Sequence, residues 1–326
     1  MKFAFVGKGG SGKSTISALF VKYLEKSNKN TLVVDADINM NLAGLLDVSI
    51  EPGKFLSHPD VARALRSYFR GTNRRIKDVS LYLPTTPAGT GSNLVKSVED
   101  PELAKLGSTV SRDPQIRLLT VGTYDSKGIG ETCYHSHLFV AENLLSHTLS
   151  ESEFHVVCDM VAGTDAFAYS MHLQFDGIFL IAEPSPESVE VCKLYLDLAK
   201  ESGVADLVHV VGNKIQDQED LEYVVKAIGK APLQWFPALP ALKKARQQGR
   251  PIDCLMIDQV MEERLSTIEA AGLNPRLSNQ DRVRLLEKLH LKLNRKQWVQ
   301  SGYGDVSGQI DPYFEFPSLQ GLGSRG

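Results

Sequence analysis

The sequence predicts an α/β fold with a doubly wound, mostly parallel sheet, a phosphate loop after its first strand and a helical C-terminal extension. Apolar runs of strand length alternate with amphipathic segments of helix length. That alternation is typical of a parallel sheet covered by helices on both faces. A glycine-rich turn from Gly7 to Ser14 directly follows the first apolar run, and the strand-like runs stop at Asp258.

The individual elements follow from the same patterns. Buried strands are predicted where short runs are rich in β-branched residues, and helices where apolar residues recur every three or four positions. The predicted strands are Lys2–Val6, Thr31–Val34, His155–Cys158, Gly177–Ala182 and Leu207–Val211. The predicted helices are Ser14–Lys26, Pro101–Leu106, Leu138–His147, Pro186–Ser202, Leu221–Ile228, Asp258–Ala271 and Gln280–Val299.

These elements suggest one large domain with appendages. We expect the main domain to cover residues 1–257, with the Pro-, Gly-, Ser- and Thr-rich stretch 83–114 as an insertion. A helical extension follows at 258–300, and 301–326 has the composition of a flexible tail or of a segment laid over a partner. The basic helix at 280–299 is expected to pack on the main domain, to bind a partner, or to lie on an anionic membrane.

Composition excludes several classes of protein. The chain has 326 residues, 36 basic and 39 acidic, for a net charge of −3, which argues against a generally nucleic-acid-binding surface. No apolar run approaches the length of a membrane span, and the first residues do not read as a secretory leader. Four cysteines in a chain of this length do not make a disulfide framework. We therefore expect a cytoplasmic protein with neither a nucleic acid nor a membrane as partner.

The segment Gly7 to Ser14 fits the pattern G-x-x-x-x-G-K-[ST] between a strand and a helix. Glycines let successive backbone N–H groups turn toward a polyphosphate, and the helix N-terminus adds partial positive charge. Lys13 is expected to reach the β- and γ-phosphates, and the Ser14 hydroxyl to ligate Mg²⁺. The predicted ATP- or ADP-binding residues of this loop are Lys8, Gly9, Gly10, Ser11, Gly12, Lys13, Ser14 and Thr15.

A second lysine, Lys8, turns this loop into the deviant Walker A motif K-G-G-x-G-K-[ST]. The motif resembles that of the deviant-Walker P-loop ATPases, the group of MinD, ParA and the nitrogenase iron protein. The resemblance implies an ATP-bound homodimer in which Lys8 reaches the nucleotide of the opposite subunit. Such a lysine supplies charge in trans to the transition state, as an arginine finger does.

Carboxylates follow two of the predicted strands. Asp35 and Asp37 come at the end of the second strand, where Asp35 is expected to hold a Mg²⁺-bound water and Asp37 to orient the attacking water. The stretch D-A-D-I-N-M-N resembles the family's switch I, with Ile38 where proline is common. Asp159 and Gly163 match its switch II, so Asp159 is expected at the Mg²⁺ site and the Gly163 N–H at the γ-phosphate.

The base of the nucleotide is expected near the last predicted strand. In the resembled family, a pair like Asn213–Lys214 reads adenine through the asparagine amide, which can both donate and accept hydrogen bonds. The segment from Trp235 to Pro240, with Pro237 at its centre, is expected to close the other side of the base.

A metal site is suggested by Cys133, His135 and His137, one thiol and two imidazoles within five positions. Thiolate and imidazole suit Zn²⁺ or Ni²⁺, and two-fold symmetry would complete a four-ligand set from Cys133 and His135 of two chains. The surrounding segment is similar to that of the carbon monoxide dehydrogenase nickel-insertion (CooC-type) ATPases. Their G-C-x-C element is altered here, because Thr132 and His135 replace its glycine and its second cysteine.

The sequence therefore predicts a slow, switch-type ATP hydrolase that dimerises with ATP and controls a client protein. A metalloenzyme-maturation factor or metallochaperone is the leading interpretation. The alternatives are a partition or positioning ATPase and a nucleotide-dependent regulatory adaptor, neither of which would handle metal.

Overall fold

A computed structural model describes residues 1–123, 134–150, 154–273 and 277–317, and gives the backbone alone for residues 134 and 135. Within these ranges, helices pack on both faces of one eight-stranded sheet. The strands are β1 (Lys2–Gly7), β2 (Thr31–Ala36), β3 (Ser108–Arg112), β4 (Gln115–Thr120), β5 (His155–Met160), β6 (Gly177–Ala182), β7 (Val208–Ile215) and β8 (Gln234–Pro237). The helices are α1 (Lys13–Lys26), α2 (Asn41–Leu45), α3 (Pro59–Arg70), α4 (Pro101–Leu106), α5 (Tyr134–Ser146), α6 (Pro186–Glu201), α7 (Gln218–Ile228), α8 (Pro240–Gln247), α9 (Gln259–Gly272), α10 (Asn279–Asn294) and α11 (Gln297–Gly302).

The strands lie in the order β3-β4-β2-β5-β1-β6-β7-β8. Every neighbouring pair is parallel except β3 and β4, which are antiparallel at one edge. Strands β1, β2, β5 and β6 are buried along their whole length, because helices cover them on both sides. The chain passes from β1 to β2 on one side of the sheet and from β5 to β6 on the other, so the carboxyl ends of the neighbouring strands β1 and β5 form the crevice where α/β proteins bind ligands. The predicted fold class is confirmed.

Each predicted strand is present, and most end one to four residues later than predicted. Three strands were not predicted: β3, β4 and the four-residue β8. The stretch 83–114, expected to be an insertion, contains α4 and gives the sheet its edge strand β3. It is also partly core, because Leu83, Ala88 and Val95 are fully buried.

The predicted helix Gln280–Val299 is wrong in its extent, since α10 ends at Asn294 and α11 begins at Gln297. The reason is a tertiary contact at the break. The Asn294 side-chain oxygen accepts a hydrogen bond from the Val306 backbone N–H at 3.0 Å, and its amide donates to Asp305 at 3.0 Å. The following segment thus holds the end of α10 instead of letting the helix continue.

A buried ion pair fixes α10 on the main domain. The Arg282 guanidinium lies 2.5 Å from the Asp176 carboxylate and donates to the backbone oxygens of Leu173 and Phe175, each at 2.8 Å. Both charged side chains are at least 95% buried. Of the three interpretations of this basic helix, the structure shows packing for the face that carries Arg282.

Residues 301–317 also differ from the expected flexible tail. Val306, Gln309 and Phe314 are buried, and the Gln309 amide donates to the Leu81 carbonyl oxygen and accepts from the Thr86 hydroxyl. This part of the chain therefore covers α10 and the segment around residue 85. Residues 318–326 lie outside the described ranges, and the boundaries at 257 and 300 stay predictions.

Candidate functional site

The loop between β1 and α1 forms an open cradle of backbone N–H groups. Gly10 and Gly12 have φ angles of +84° and +96°, a region that side chains with a Cβ rarely adopt. Gly12 is the N-cap of α1 and has no side chain that could accept hydrogen bonds from the first N–H groups of this helix. These donors and the helix dipole face the carboxyl edge of the sheet, which is the geometry of a phosphate site.

Lys13 extends from the first turn of α1 back across this loop. Its Nζ lies 3.9 Å from Asp37 Oδ2 and 3.5 Å from the Lys8 carbonyl oxygen, and its side chain is 95% buried. Asp37 in turn accepts hydrogen bonds from the Asn39 backbone and side-chain amides, at 2.9 and 2.8 Å. The structure thus brings together the predicted phosphate lysine and the predicted water-orienting acid.

Asp35 and Asp159 lie opposite each other on the adjacent strands β2 and β5, and both are fully buried. Asp35 accepts hydrogen bonds from the backbone N–H groups of Asp37 and Leu42, at 3.2 and 3.0 Å. Burial and the Asp159 carboxylate raise the pKa of Asp35 well above its usual range. Burial likewise raises the pKa of Asp159 to about 7, against the opposing effects of a Ser14 hydrogen bond and the Lys13 charge.

Ser14, Asp35 and Asp159 fit a Mg²⁺ ion next to a bound triphosphate. The Ser14 hydroxyl lies close enough to Asp159 to lower its pKa, and the buried Oδ2 of Asp159 has no hydrogen-bond partner among the described residues. A cation there would give Oδ2 a partner and would lower the pKa of Asp159. Within the described ranges no group of three His, Cys, Asp or Glu side chains could hold a metal ion. A nucleotide Mg²⁺ needs no such group, because phosphate oxygens and waters supply most of its ligands.

Ser17, which the motif does not include, also belongs to this cluster. Its hydroxyl donates to Asp159 Oδ1 at 3.1 Å and bonds the Lys13 carbonyl oxygen one turn earlier on α1, at 2.9 Å. The sequence signal was available, since Ser17 lies three residues after Ser14 and therefore on the same face of the helix.

Gly163 lies beside the phosphate loop, but its N–H points elsewhere than expected. It donates to the Gly7 carbonyl oxygen at 3.0 Å, with Gly163 at a φ of +86°. Contact between this N–H and a γ-phosphate requires that hydrogen bond to break. The predicted role of Gly163 thus stays a prediction, and it implies a second conformation of the loop.

Asn213 and Lys214, at the end of β7, contact the phosphate loop directly. The Asn213 side-chain amide donates to the Ser11 carbonyl oxygen at 2.7 Å, and Lys214 Nζ donates to the Gly10 carbonyl oxygen at 2.7 Å. A Cβ on Gly12 would lie 2.2 Å from the Asn213 amide nitrogen, so the two residues are tightly packed. Asn213 keeps its oxygen and one N–H free of these contacts for the predicted reading of adenine.

Glu183, to which the sequence motifs assign no role, forms ion pairs with two lysines of the site. Its carboxylate lies 2.6 Å from Lys214 Nζ and 3.7 Å from Lys8 Nζ. Lys8 is therefore paired within its own chain in this structure. The available signal was the position of Glu183 directly after β6, among the other strand ends of the crevice.

The remaining predicted residues lie near the site or outside the described ranges. Pro237 ends β8 and pairs in register with Ile215, two residues after Asn213. The Trp235 ring is covered by the Arg264 guanidinium, 4.1 Å from its centroid, so it packs against α9. Cys133 and the side chain of His135 lie outside the described residues, so the Zn²⁺ or Ni²⁺ site stays a prediction.

The sequence pattern of the CobQ/CobB/MinD/ParA nucleotide binding domain matches residues 3–273. The chain belongs to this family. Its membership confirms the predicted resemblance to the deviant-Walker ATPases and shows that the chain contains a nucleotide-binding domain. Helix α10 and the segment that covers it lie beyond the matched range of this ATPase domain.

Two relatives of this MinD/ParA-like ATPase align over most of its length. An uncharacterised ATP-binding protein of Methanocaldococcus jannaschii is 27% identical over 256 residues, which is 78% of this chain and 91% of the relative. The carbon monoxide dehydrogenase accessory protein CooC of Rhodospirillum rubrum is 28% identical over 275 residues, 84% of this chain and 96% of the relative. The cell division ATPase MinD of Pyrococcus furiosus has a TM-score of 0.50 at 17% identity, covering 83% of this chain and 97% of that chain. At that identity the likeness to MinD shows the fold alone.

Proposed function

We propose that this chain is a nucleotide-switched ATPase that dimerises with ATP and Mg²⁺, hydrolyses ATP slowly, and serves the maturation of a metalloenzyme. The observation that carries the ATPase part is the convergence of Lys13, Asp37 and Asp159 beside the uncapped N-terminus of α1. A buried lysine, a loop of backbone donors and nearby carboxylates are the parts that phosphoryl transfer requires.

Each side chain has a defined task in this proposal. Lys13 and the loop N–H groups would hold the β- and γ-phosphates. Ser14 and Asp159 would hold Mg²⁺, and Asp35 would accept a hydrogen bond from a water of that ion. When bound, Mg²⁺ would neutralise charge that develops on the phosphate oxygens. Asp37 orients the attacking water, since Asn39 fixes one of its oxygens and leaves the other near Lys13.

Lys8 provides the link between ATP and dimerisation. In the proposed dimer, its Nζ leaves Glu183 and reaches the nucleotide of the opposite subunit, where it stabilises transition-state charge. Its side chain is 32% exposed and lies on the rim of the loop, so it is able to turn outward without unpacking the core.

The metalloenzyme client is supported by the relative of Rhodospirillum rubrum, whose name describes an accessory protein of carbon monoxide dehydrogenase. We extend the proposal to one Zn²⁺ or Ni²⁺ per dimer, shared through Cys133 and His135 of each chain. Ligand count supports the sharing, because one chain offers an incomplete shell and a two-fold axis doubles it. The same switch without metal would make the chain a partition or positioning ATPase or a regulatory adaptor.

Metal content per dimer tests this function. The parent, Cys133→Ser and the control Cys254→Ser, which replaces a free cysteine of another segment, are dialysed with Zn²⁺ or Ni²⁺, with and without ATP. We expect one metal per ATP-bound dimer for the parent and the control, and none for Cys133→Ser. Equal substoichiometric metal in all samples, with ATP-driven dimerisation intact, would reject the metal-handling role and keep the switch.

A further inference from the structure

A groove outside the nucleotide site runs between the ATPase domain and α10. Its volume is about 590 Å³. It is lined by residues 167–173, the end of α6, one face of α10 with the following Lys296, and Thr85. The floor is apolar, with Phe167, Leu289 and Leu293 among its side chains. The groove is thus large enough for several apolar side chains of another molecule.

The rim of this groove carries unpaired positive charge. Lys288, Lys292 and Lys296 line it at intervals of four residues, and all three are exposed. In the part of the chain that the structure describes, none of the three side-chain ammonium groups forms an ion pair or a hydrogen bond. The other titratable groups of the lining are Glu201, on the opposite wall, His172 and Tyr169. Burial lowers the pKa of His172 to about 4, so this imidazole is neutral and the rim has a net positive charge at neutral pH.

An aromatic side chain marks the end of the groove near Lys296. Trp298 is 41% exposed, and its ring meets the ring of Tyr169, which lines the groove, at a centroid distance of 6.3 Å. Exposed tryptophans beside apolar pockets are frequent anchors in protein interfaces. An apolar floor, a lysine rim and an exposed tryptophan together complement an acidic amphipathic helix.

We propose that this groove docks an acidic amphipathic helix of a partner protein, whose apolar side chains enter the floor and whose carboxylates pair with the three lysines. The groove is open along its length beside α10, which suits a helix lying across it. One wall, residues 167–173, begins four residues after Gly163. This proximity places the docking surface next to Gly163, whose backbone N–H donates to the Gly7 carbonyl oxygen in this structure.

Nucleotide dependence of docking rests on the proposed function. If the γ-phosphate draws the Gly163 N–H away from Gly7, the following wall shifts against α10 and the groove changes shape. The partner helix would then bind the ATP and ADP states with different affinity, and by linkage its binding would change ATP affinity by the same factor.

The test uses a fluorescein-labelled peptide of about 20 residues, with leucines at helical spacing and glutamates on the other face, and a scrambled peptide of the same composition. Anisotropy is measured for the full chain, for the double variant Lys288→Glu/Lys292→Glu, and for Leu289→Ala. The matched control is Lys243→Glu/Lys244→Glu, which makes the same charge change at exposed positions of α8. Circular dichroism and thermal unfolding verify that each variant is folded.

We expect the amphipathic peptide to bind, the groove double variant to lose at least about tenfold in affinity, and Leu289→Ala to weaken binding at unchanged charge. The control should stay within about twofold of the parent, and added salt should weaken binding. Equal binding of the scrambled peptide, or an equal loss in the control, would overturn the proposal. So would lysine-dependent binding of phosphatidylglycerol vesicles without peptide binding.

This experiment distinguishes failure of the docking proposal from failure of the proposed ATPase function. Peptide binding that depends on the groove lysines in a chain that neither binds ATP nor dimerises would reject the proposed function and leave the docking surface. Conversely, ATP-driven dimerisation without peptide binding would reject the docking surface alone. If a dimerising chain binds the peptide with equal affinity in ATP and in ADP, the coupling between nucleotide state and peptide docking is rejected.

Discussion

Glu183 ties the phosphate loop to the neighbouring strand ends through two lysines. Its contact with Lys214 at 2.6 Å supports the loop, because Lys214 also bonds the Gly10 carbonyl oxygen. Its contact with Lys8 at 3.7 Å holds the trans lysine of the proposed dimer inside its own chain. In the proposed dimer, one partly exposed ion pair would have to break before Lys8 reached the opposite nucleotide.

Glu183→Gln is expected to favour ATP-dependent dimerisation. A partly exposed pair contributes about 0.5 to 1 kcal/mol, so half-dimerisation should occur at an ATP concentration about two- to fivefold lower. Lys8→Ala is expected to bind ATP normally and stay monomeric. Analytical ultracentrifugation with ATP measures both, and Glu187→Gln, on the exposed first turn of α6, is the matched control. Equal dimerisation of all four proteins would remove Lys8 from the interface.

Lys13→Ala is expected to lose ATP affinity about ten- to hundredfold. One charge-assisted phosphate contact in a desolvated loop contributes about 1.5 to 3 kcal/mol. Isothermal titration calorimetry with Mg²⁺-ATP measures the loss, and Lys226→Ala, an exposed lysine of α7, is the control. Unchanged affinity would contradict the assignment of the phosphate loop.

Much of the site was predictable from residue types, because the loop motif and the strand-end acids imply their own geometry. The hydrogen-bond partners were not predictable in this way. The donation of the Gly163 N–H to Gly7 and of the Asn213 amide to Ser11 depends on how β1, β5 and β7 are placed beside one another. The ion pairs of Glu183 were not predictable, because its lysine partners are distant in sequence.

At the scale of elements, the buried parallel strands were the predictable part. Strands β1, β2, β5 and β6 are covered on both faces, so they read as apolar runs. The edge strand β3 is half exposed and the hairpin partner β4 alternates in burial, so neither gives a continuous apolar signal. Strand β8 has only four residues, too few for periodicity to identify.

A buried ion pair contributes to holding helix α10 on the domain. Arg282→Met is expected to destabilise the fold by about 3 to 5 kcal/mol, because it leaves Asp176 buried without its cation. Urea unfolding measures this, and Arg295→Met, at an exposed position after the same helix, should change stability by less than about 0.5 kcal/mol. Similar small losses in both variants would mean that the main domain does not depend on the attachment of α10.

The whole molecule buries several imidazoles, which makes its stability sensitive to acid. Burial lowers the pKa of His147 to about 4, and it also lowers the pKa values of His155 and His290. These groups bind protons more weakly in the folded than in the unfolded state. Their contribution to the free energy of unfolding is therefore full above pH 6.5 and is lost as the pH falls toward 4. Asp35 and Asp159 act in the opposite sense, because their pKa values are raised.

His147→Gln separates these opposing effects, because it changes one imidazole and leaves both carboxyls. Between pH 7 and pH 5, the free energy of unfolding of the parent should fall by about 2 kcal/mol more than that of the variant. The variant also loses packing against Phe69, but that loss is present at both pH values and cancels in this comparison. Urea unfolding at the two pH values measures this difference. His58→Gln, which removes an exposed imidazole, should lose stability in parallel with the parent. If His147→Gln also runs parallel to the parent, His147 titrates normally in the folded protein and acid sensitivity must come from other groups.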